Sequence, residues 1–263
     1  MTSNADQAIS ALRSGHDTLT SLVAELPDVA LTGPSGASEW TIADVLSHLG
    51  SGAEIGLATL AASLSGADAP GNDFNQGVWG RWNAMAPQEQ ADSFVKANEA
   101  LVSRYEGLDE QTRQTQQIKM FLPDPVDVAT SAAFRLNEFA LHSWDVRVAA
   151  DPAAVLAAEA VPSLLAVAPL MFGWLGRPKD VLAGQHIVVA VHTIDPTREF
   201  GLQITDEVAL TDTPAAPGAS LSLPTESWLR LVAGRLSPAH TPGGVSASGA
   251  VTLDQLRQIF PGF

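Results

Sequence analysis

Apolar residues recur at helical spacing through the first part of the chain. They do so over residues 5–26, and Pro27 ends that run. A second helix is expected to begin with Thr41 as its N-cap and Asp44 in its first turn, and to continue to about Leu64. The first part of the chain is therefore predicted to be helical.

The same pattern predicts three more helices before residue 178. A glycine-containing loop is expected over 66–80, followed by helices over about 87–108 and 126–150. The Asp151-Pro152 pair is expected to break the last of these and to open a fifth helix, because proline suits the first turn.

The pattern changes after Pro178. Residues 186–192 are rich in β-branched residues and predict a strand. Further strands are expected over 199–205, 208–211, 220–223 and 245–251, with helices over 224–234 and 252–259. We therefore predict an α+β protein, with a helical bundle over 1–178 and a small α/β sandwich over 179–263.

Composition and charge exclude several classes of function. The 263 residues include 29 acidic and 14 basic side chains, and this excess of negative charge argues against binding to nucleic acid. The absence of cysteine excludes disulfides, a thiolate metal site and a cysteine nucleophile. The N-terminus has no apolar signal core, and the longest apolar stretch, 153–175, looks amphipathic. A cytoplasmic protein that does not enter a membrane is expected.

Three side chains form a candidate metal site. Glu138 and His142 are four residues apart and share one face of the fourth long helix, and Asp145 extends that stripe. His48 lies beside the apolar face of the second helix, where a bundle can turn it towards the fourth. Two imidazoles and a carboxylate leave coordination positions open, as catalytic zinc sites do. From spacing alone, the alternatives are a solvated helix face for the pair and a core position for His48.

Two segments resemble a known family. Residues 40–49, Trp-Thr-Ile-Ala-Asp-Val-Leu-Ser-His-Leu, resemble the Trp-Thr-x-x-x-Val-Leu-x-His-Leu segment of the DinB-like helical bundles. More narrowly, they are similar to the mycothiol-dependent maleylpyruvate isomerase family, whose Glu-x-x-x-His-x-x-Asp segment matches residues 138–145. Residues 223–235 and 256–263 resemble its C-terminal domain, which is related to sterol-carrier-type folds. One departure is Ser38-Glu39 before Trp40, where members nearest the isomerase carry Pro-Gly.

The resemblance implies a DinB-like four-helix bundle in which His48, Glu138 and His142 hold zinc or another divalent metal. It also implies that the thiol of mycothiol reaches the metal as a thiolate. Family members add this sulfur to an electrophile, or add and remove it so that a cis double bond becomes trans. The expected function is therefore a metal-dependent S-transferase or a maleylpyruvate-type isomerase. The lack of cysteine is consistent with a sulfur that comes from the cosubstrate.

The resemblance also assigns roles to other residues. Arg235 matches the family's active-site arginine, and Arg235 and His48 are the expected catalytic residues. Arg235 is also expected to bind a substrate carboxylate, the alternative being a cation at a helix end. Arg81 is a second candidate for binding an anion, the alternative being a surface arginine in a loop. Asp145 is expected to accept a hydrogen bond from a ligand imidazole, the alternative being an ion pair on the helix surface.

Two other functions stay open at this point. The protein could be a non-catalytic carrier of an apolar small molecule in its C-terminal sandwich, or a zinc-bundle regulatory protein with a stable protein partner. The leading hypothesis expects a small electrophile and a low-molecular-weight thiol as partners, no nucleic acid or membrane, and a monomer or homodimer.

Overall fold

The computed structural model describes residues 3–178, 181–182 and 184–262, and it contains both helices and a sheet, which confirms the predicted α+β class. The chain divides into two compact units, one formed by residues up to 151 with 162–164, the other by 152–161 with the residues from 165 onward. The predicted boundary between 178 and 179 stays a prediction, because residue 179 lies outside the described residues.

The first unit is a four-helix bundle with short accessory elements. The long helices α1, α3, α5 and α7 form a closed ring, in which α1 contacts α5 and α7, and α3 contacts the same two. The elements are α1 (Asn4–Glu25), α2 (Asp28–Leu31), α3 (Ile42–Ser65), α4 (Asn72–Asn83), α5 (Pro87–Glu106), α6 (Glu110–Thr115), β1 (Gln117–Ile118), β2 (Val126–Asp127) and α7 (Val128–Arg147).

Helix α3, which carries His48, begins at the predicted residue because its cap is encoded locally. The Asp44 N–H donates to Thr41 Oγ1 over 3.1 Å, and the Thr41 N–H donates to Asp44 Oδ2 over 2.9 Å. This capping box satisfies two backbone donors that the helix itself cannot satisfy. At the other end, Gly66 adopts a φ of 72°, the left-handed conformation that closes many helices.

Apolar stripes on the four long helices form the core of the bundle. The rings of Phe94 on α5 and Phe139 on α7 stack with centroids 6.5 Å apart across the interior. Both side chains are almost fully buried, and burying such side chains is the main stabilising contribution to a bundle. The other apolar residues of leucine size or larger with no more than 1% exposure on these helices are Leu12, Leu19, Leu46, Leu49, Leu60, Leu101, Leu136 and Trp144.

Two predictions about helix positions are wrong. Residues 66–80 were expected to be a loop, yet α4 begins inside that range at Asn72. Its buried anchor is Trp82, whose ring packs so closely on Gly50 of α3 that a Cβ there would lie 2.1 Å from it. The fifth long helix, α8 (Val161–Leu175), begins nine residues later than expected, since Pro162 would interrupt a helix that started at 152 but is tolerated in a first turn.

The second unit is built on a five-stranded sheet with the order β5-β4-β3-β6-β7. Strands β3 and β6 are parallel, and the other neighbouring pairs are antiparallel. These strands confirm the sequence prediction to within about two residues, as do the two C-terminal helices. The elements are β3 (Ile187–Ile194), β4 (Arg198–Ile204), β5 (Val208–Thr211), β6 (Ala219–Pro224), α9 (Thr225–Val232), β7 (Ser246–Gly249) and α10 (Leu253–Ile259).

An aromatic cluster and a buried ion pair hold the helices of the second unit. The ring of Trp228 on α9 lies 6.2 Å from Phe172 of α8 and 6.5 Å from Phe260, which follows α10. Arg230, 1% exposed, donates from Nε to Glu226 over 2.7 Å, so its charge is compensated. Among the described residues, no helix is both long enough and apolar enough to cross a membrane.

A cluster of ion pairs joins α1 to α5 at the surface of the bundle. Arg13 donates from Nη2 to Glu99 over 2.9 Å and to Glu106 over 2.8 Å. The hydrogen bonds from Arg13 are the main cause that lowers the pKa of Glu99 to about 2. A carboxylate with such a depressed pKa stabilises the folded state only while it is ionised.

Replacing Arg13 by glutamine is expected to destabilise the protein by up to about 1 kcal/mol near neutral pH, a small amount because the Glu99 side chain is 46% exposed. The stabilisation is complete above the ordinary pKa of 4.5 and is lost as the pH falls through about 2. Thermal unfolding of the parent and of Arg13→Gln across this pH range should show their difference in stability shrinking towards zero as the pH falls. Arg104→Gln, at an exposed position of α5, is the control, and a difference independent of pH would contradict the assignment.

Candidate metal centre

The structure brings the three predicted metal ligands together. One nitrogen or oxygen atom from each of His48, Glu138 and His142 lies within 4.8 Å of the others. His48 Nε2 lies 3.3 Å from Glu138 Oε2, and His142 Nε2 lies 3.8 Å from the same oxygen. The carboxylate therefore lies between two imidazoles, one from α3 and one from its own helix.

Asp145 lies behind His142 and fixes the orientation of its ring. Asp145 Oδ2 is 2.9 Å from His142 Nδ1, and the Asp145 side chain is fully buried. A carboxylate that accepts a hydrogen bond from Nδ1–H leaves the lone pair of the ring on Nε2, the nitrogen that lies 3.8 Å from Glu138 Oε2. Because Asp145 is buried, its contact with His142 is not the ion pair on the helix surface that was the alternative from the sequence.

The electrostatic environment keeps Glu138 ionised. Burial on its own would raise the pKa of Glu138, but the hydrogen bond with His48 and electrostatic attraction from the two imidazoles and Arg135 outweigh that effect and lower the pKa. One carboxylate and two imidazoles, with a carboxylate orienting one of the rings, form a donor set that fits zinc or a related divalent transition metal.

Trp40 covers both imidazoles, a contact that the sequence prediction missed. Its ring stacks on His142 at 17°, with the centroids 5.7 Å apart, and lies 5.2 Å from the ring of His48. The indole shields the two rings on one side. The sequence shows Trp40 next to the N-cap of α3, but the stacking on His142 depends on how α7 packs, which no local pattern reveals.

The loop before α3 holds Trp40 in place. The Gly36 N–H donates to the carbonyl of Asp145 over 2.7 Å, which joins this loop to α7 beside the ligands. A Cβ at Gly36 would lie 2.6 Å from the Val148 side chain, so glycine permits this approach. Ser35 closes the loop by donating to the carbonyl of Trp40 from both its N–H and its hydroxyl.

A cavity of about 490 Å³ opens beside His48. Its walls include two half-exposed tryptophans, Trp40 and Trp79, and two acidic residues, Glu39 and Asp44. Ser51 and Asn83 complete the lining with His48. This volume lies in the range typical of small-molecule sites, and the cavity reaches the imidazole of a candidate ligand.

The two other predicted arginines each have partners of their own. Arg81 is on helix α4, not in the loop that was expected, and forms an ion pair with Glu54 of α3. Arg235 belongs to the second unit, is 6% exposed and donates from Nη1 to the carbonyl of Ala233 over 2.9 Å. Their expected roles in binding anions stay predictions.

Comparison with known proteins gives one family and one fold. Residues 12–147 match a family model described as the mycothiol maleylpyruvate isomerase N-terminal domain. Two similar solved structures are crystal structures of a mycothiol-dependent maleylpyruvate isomerase and of its mutant with a histidine replaced by alanine. They are 12% and 13% identical, each comparison covers 100% of both chains, and both TM-scores are 0.68, which shows a common fold. No curated protein sequence gives a significant match.

Glu39 has a φ of 66°, in the left-handed region that favours glycine. Glu39→Gly is expected to stabilise the protein by up to about 1 kcal/mol, because glycine adopts a positive φ without the steric penalty of a Cβ. Thermal unfolding measures the gain. Glu39→Ala is the matched control, since it removes the same carboxylate but keeps the Cβ. An equal gain in both variants would assign the effect to charge and not to backbone conformation.

Proposed function

This chain belongs to the mycothiol maleylpyruvate isomerase N-terminal domain family, and on that premise we propose that it is a metal-dependent enzyme using mycothiol. The thiol would attack a small electrophile, either in S-transfer, where the new C–S bond persists, or in a maleylpyruvate-type cis/trans isomerisation, where it breaks again. The observation that carries the proposal is the close approach of His48, Glu138 and His142, with ligand atoms within 4.8 Å.

In this proposal, the three side chains hold zinc or another divalent metal, with His48 from α3 and the other two from α7. When bound, such a metal acts as a Lewis acid that lowers the pKa of a coordinated thiol and favours the thiolate at neutral pH. Asp145 accepts a hydrogen bond from His142 Nδ1–H, and Trp40 shields both imidazoles. These contacts keep the donor atoms in a fixed arrangement before any ligand arrives.

The cavity beside His48 is the proposed binding space for the reactants. Its volume of about 490 Å³ suits a small molecule, and its two tryptophans offer apolar surfaces against which a ligand can pack. Because the chain contains no cysteine, the reacting sulfur has to come from the thiol cosubstrate. We propose that Arg235 binds a carboxylate of the substrate and that Arg81 is a second anion-binding residue.

Elemental analysis is the first test of this proposal. We expect about one equivalent of zinc in the purified protein, and loss of most of it in His48→Ala, Glu138→Ala and His142→Ala, because each variant removes one of three donors. The bundle should keep its helical circular dichroism, since its core consists of apolar side chains. His186→Ala, at an exposed position, is the matched control and should keep its metal.

The outcomes separate the three functional hypotheses. Retention of metal in Glu138→Ala and His142→Ala would contradict the site assignment. Absence of metal even after reconstitution would favour an apolar-ligand carrier. Metal without consumption of mycothiol, across a panel of electrophiles that includes maleylpyruvate, would favour a regulatory role.

Replacing Arg235 by alanine is expected to raise the KM for a carboxylate-bearing substrate roughly tenfold or more, with a smaller change in kcat, if its guanidinium binds that carboxylate. The measurement is steady-state kinetics with a carboxylate-bearing electrophile from that panel that the parent protein converts. Arg198→Ala, at an exposed position of β4, is the control. Unaltered kinetics in Arg235→Ala would reject its role in binding the substrate carboxylate.

A further inference from the structure

Arg135 extends from α7 into the bundle, one helical turn before Glu138. Its Nη2 donates to the carbonyl of Leu49 over 2.9 Å and to Asn98 Oδ1 over 2.8 Å. Its Nε is buried and has no hydrogen-bond partner among the residues that the structure describes. The two bonds occupy both hydrogens of Nη2, so the protein fixes the guanidinium, while Nη1 makes no hydrogen bond to the residues that the structure describes.

Asn98 is itself held in place, which makes the position of Arg135 well defined. Asn98 Nδ2 lies 2.9 Å from Nδ1 of His16, and both side chains are buried. The amide oxygen of Asn98 is therefore left to accept from Arg135. A guanidinium held by buried partners is preorganised for a ligand, because little side-chain entropy remains to be lost on binding.

The positive charge of Arg135 lacks a paired anion. In the described part of the chain, Arg135 forms no ion pair, and Glu138 acts on it only through longer-range attraction. Burial is the largest cause that lowers the pKa of Arg135 to about 10, so the group is still a cation at neutral pH. If Glu138 binds a metal, its charge is shared with that ion. The side chain of Arg135 is only partly exposed to solvent, so a positive charge without a counter-ion is unfavourable there, and an anionic ligand would compensate it.

Gly52 leaves space at the guanidinium. It lies one turn after His48 on α3, and a Cβ there would be 3.1 Å from Arg135 Nη1. Gly52, Arg135 and Glu138 are all partly exposed, so solvent reaches this side of α3 and α7. Since Gly52 follows His48 by one turn and Arg135 precedes Glu138 by one turn, both lie along the helix faces that carry these ligands.

We propose that Arg135 is a carboxylate-binding residue next to the metal centre, with Nη1 as the main donor. The inference rests on the proposed function and specifies it further, because it requires an electrophile that carries a carboxylate. An arginine N–H to a carboxylate is a charge-assisted hydrogen bond, about twice as strong as a neutral one.

Calorimetric titration of succinate into the zinc-loaded, full-length protein tests this site without relying on turnover. Arg135→Gln is expected to weaken succinate binding roughly tenfold or more while zinc content stays the same. Arg104→Gln, at an exposed position of α5, is the control for general loss of positive charge and should bind as the parent does.

A second variant guards against misfolding of Arg135→Gln, since that change also removes the bonds to Leu49 and Asn98. Gly52→Ala keeps both bonds but places a methyl group against Nη1, and it should weaken succinate binding several-fold. Parental affinity in a folded Arg135→Gln, or in Gly52→Ala, would overturn the inference, as would undetectable binding to the parent at millimolar succinate.

The proposed function and this inference fail in different ways. Succinate binding that depends on Arg135, in a protein that does not consume mycothiol, would reject the proposed thiol chemistry and leave the anion site standing. Thiol chemistry that persists while succinate binding is indifferent to Arg135 would reject only the anion site.

Discussion

The packing of α3 against α7 brings together polar groups of which two, His142 and Asp145, are buried and two, His48 and Glu138, are half-exposed. His48 from one helix reaches within 3.3 Å of Glu138 on the other, and Asp145 supports His142 from behind. Polar groups in such surroundings are tolerated only when they have partners. Here each group is the partner of the next, so the arrangement is stable as a set, and removal of one member exposes its neighbours to an unfavourable environment.

The polar groups continue along the bundle beyond the three candidate ligands. His16, Asn98 and Arg135 form a buried hydrogen-bonded series that links α1 to α5 and α5 to α7. Because hydrogen bonds are directional, such a series specifies how the helices are rotated about their axes, which apolar packing alone specifies less sharply. The same contacts that define the rotation of the helices also fix the position of the Arg135 guanidinium.

Features encoded by nearby residues could be predicted from the sequence, and features that depend on distant contacts could not. The start of α3 follows from Thr41 and Asp44, three residues apart, and the five strands follow from β-branched and alternating residues. The candidate ligands were found because they lie in two recognisable segments. Helix α4 was missed because it is anchored by Trp82 packing on Gly50 of another helix. Trp40 and Arg135 were missed for the same reason, since their partners lie on other elements.

The hydrogen bond from the Gly36 N–H to the carbonyl of Asp145 restricts how the loop before α3 can change in sequence. The loop that carries Trp40 and borders the cavity is fastened to the residue that orients His142. A change that reshapes this loop to admit a different reactant will also disturb the support of a candidate ligand. Under the proposed function, selectivity and metal affinity are therefore coupled traits, and new specificity should evolve more readily from the Trp79 wall, which lies on a separate helix.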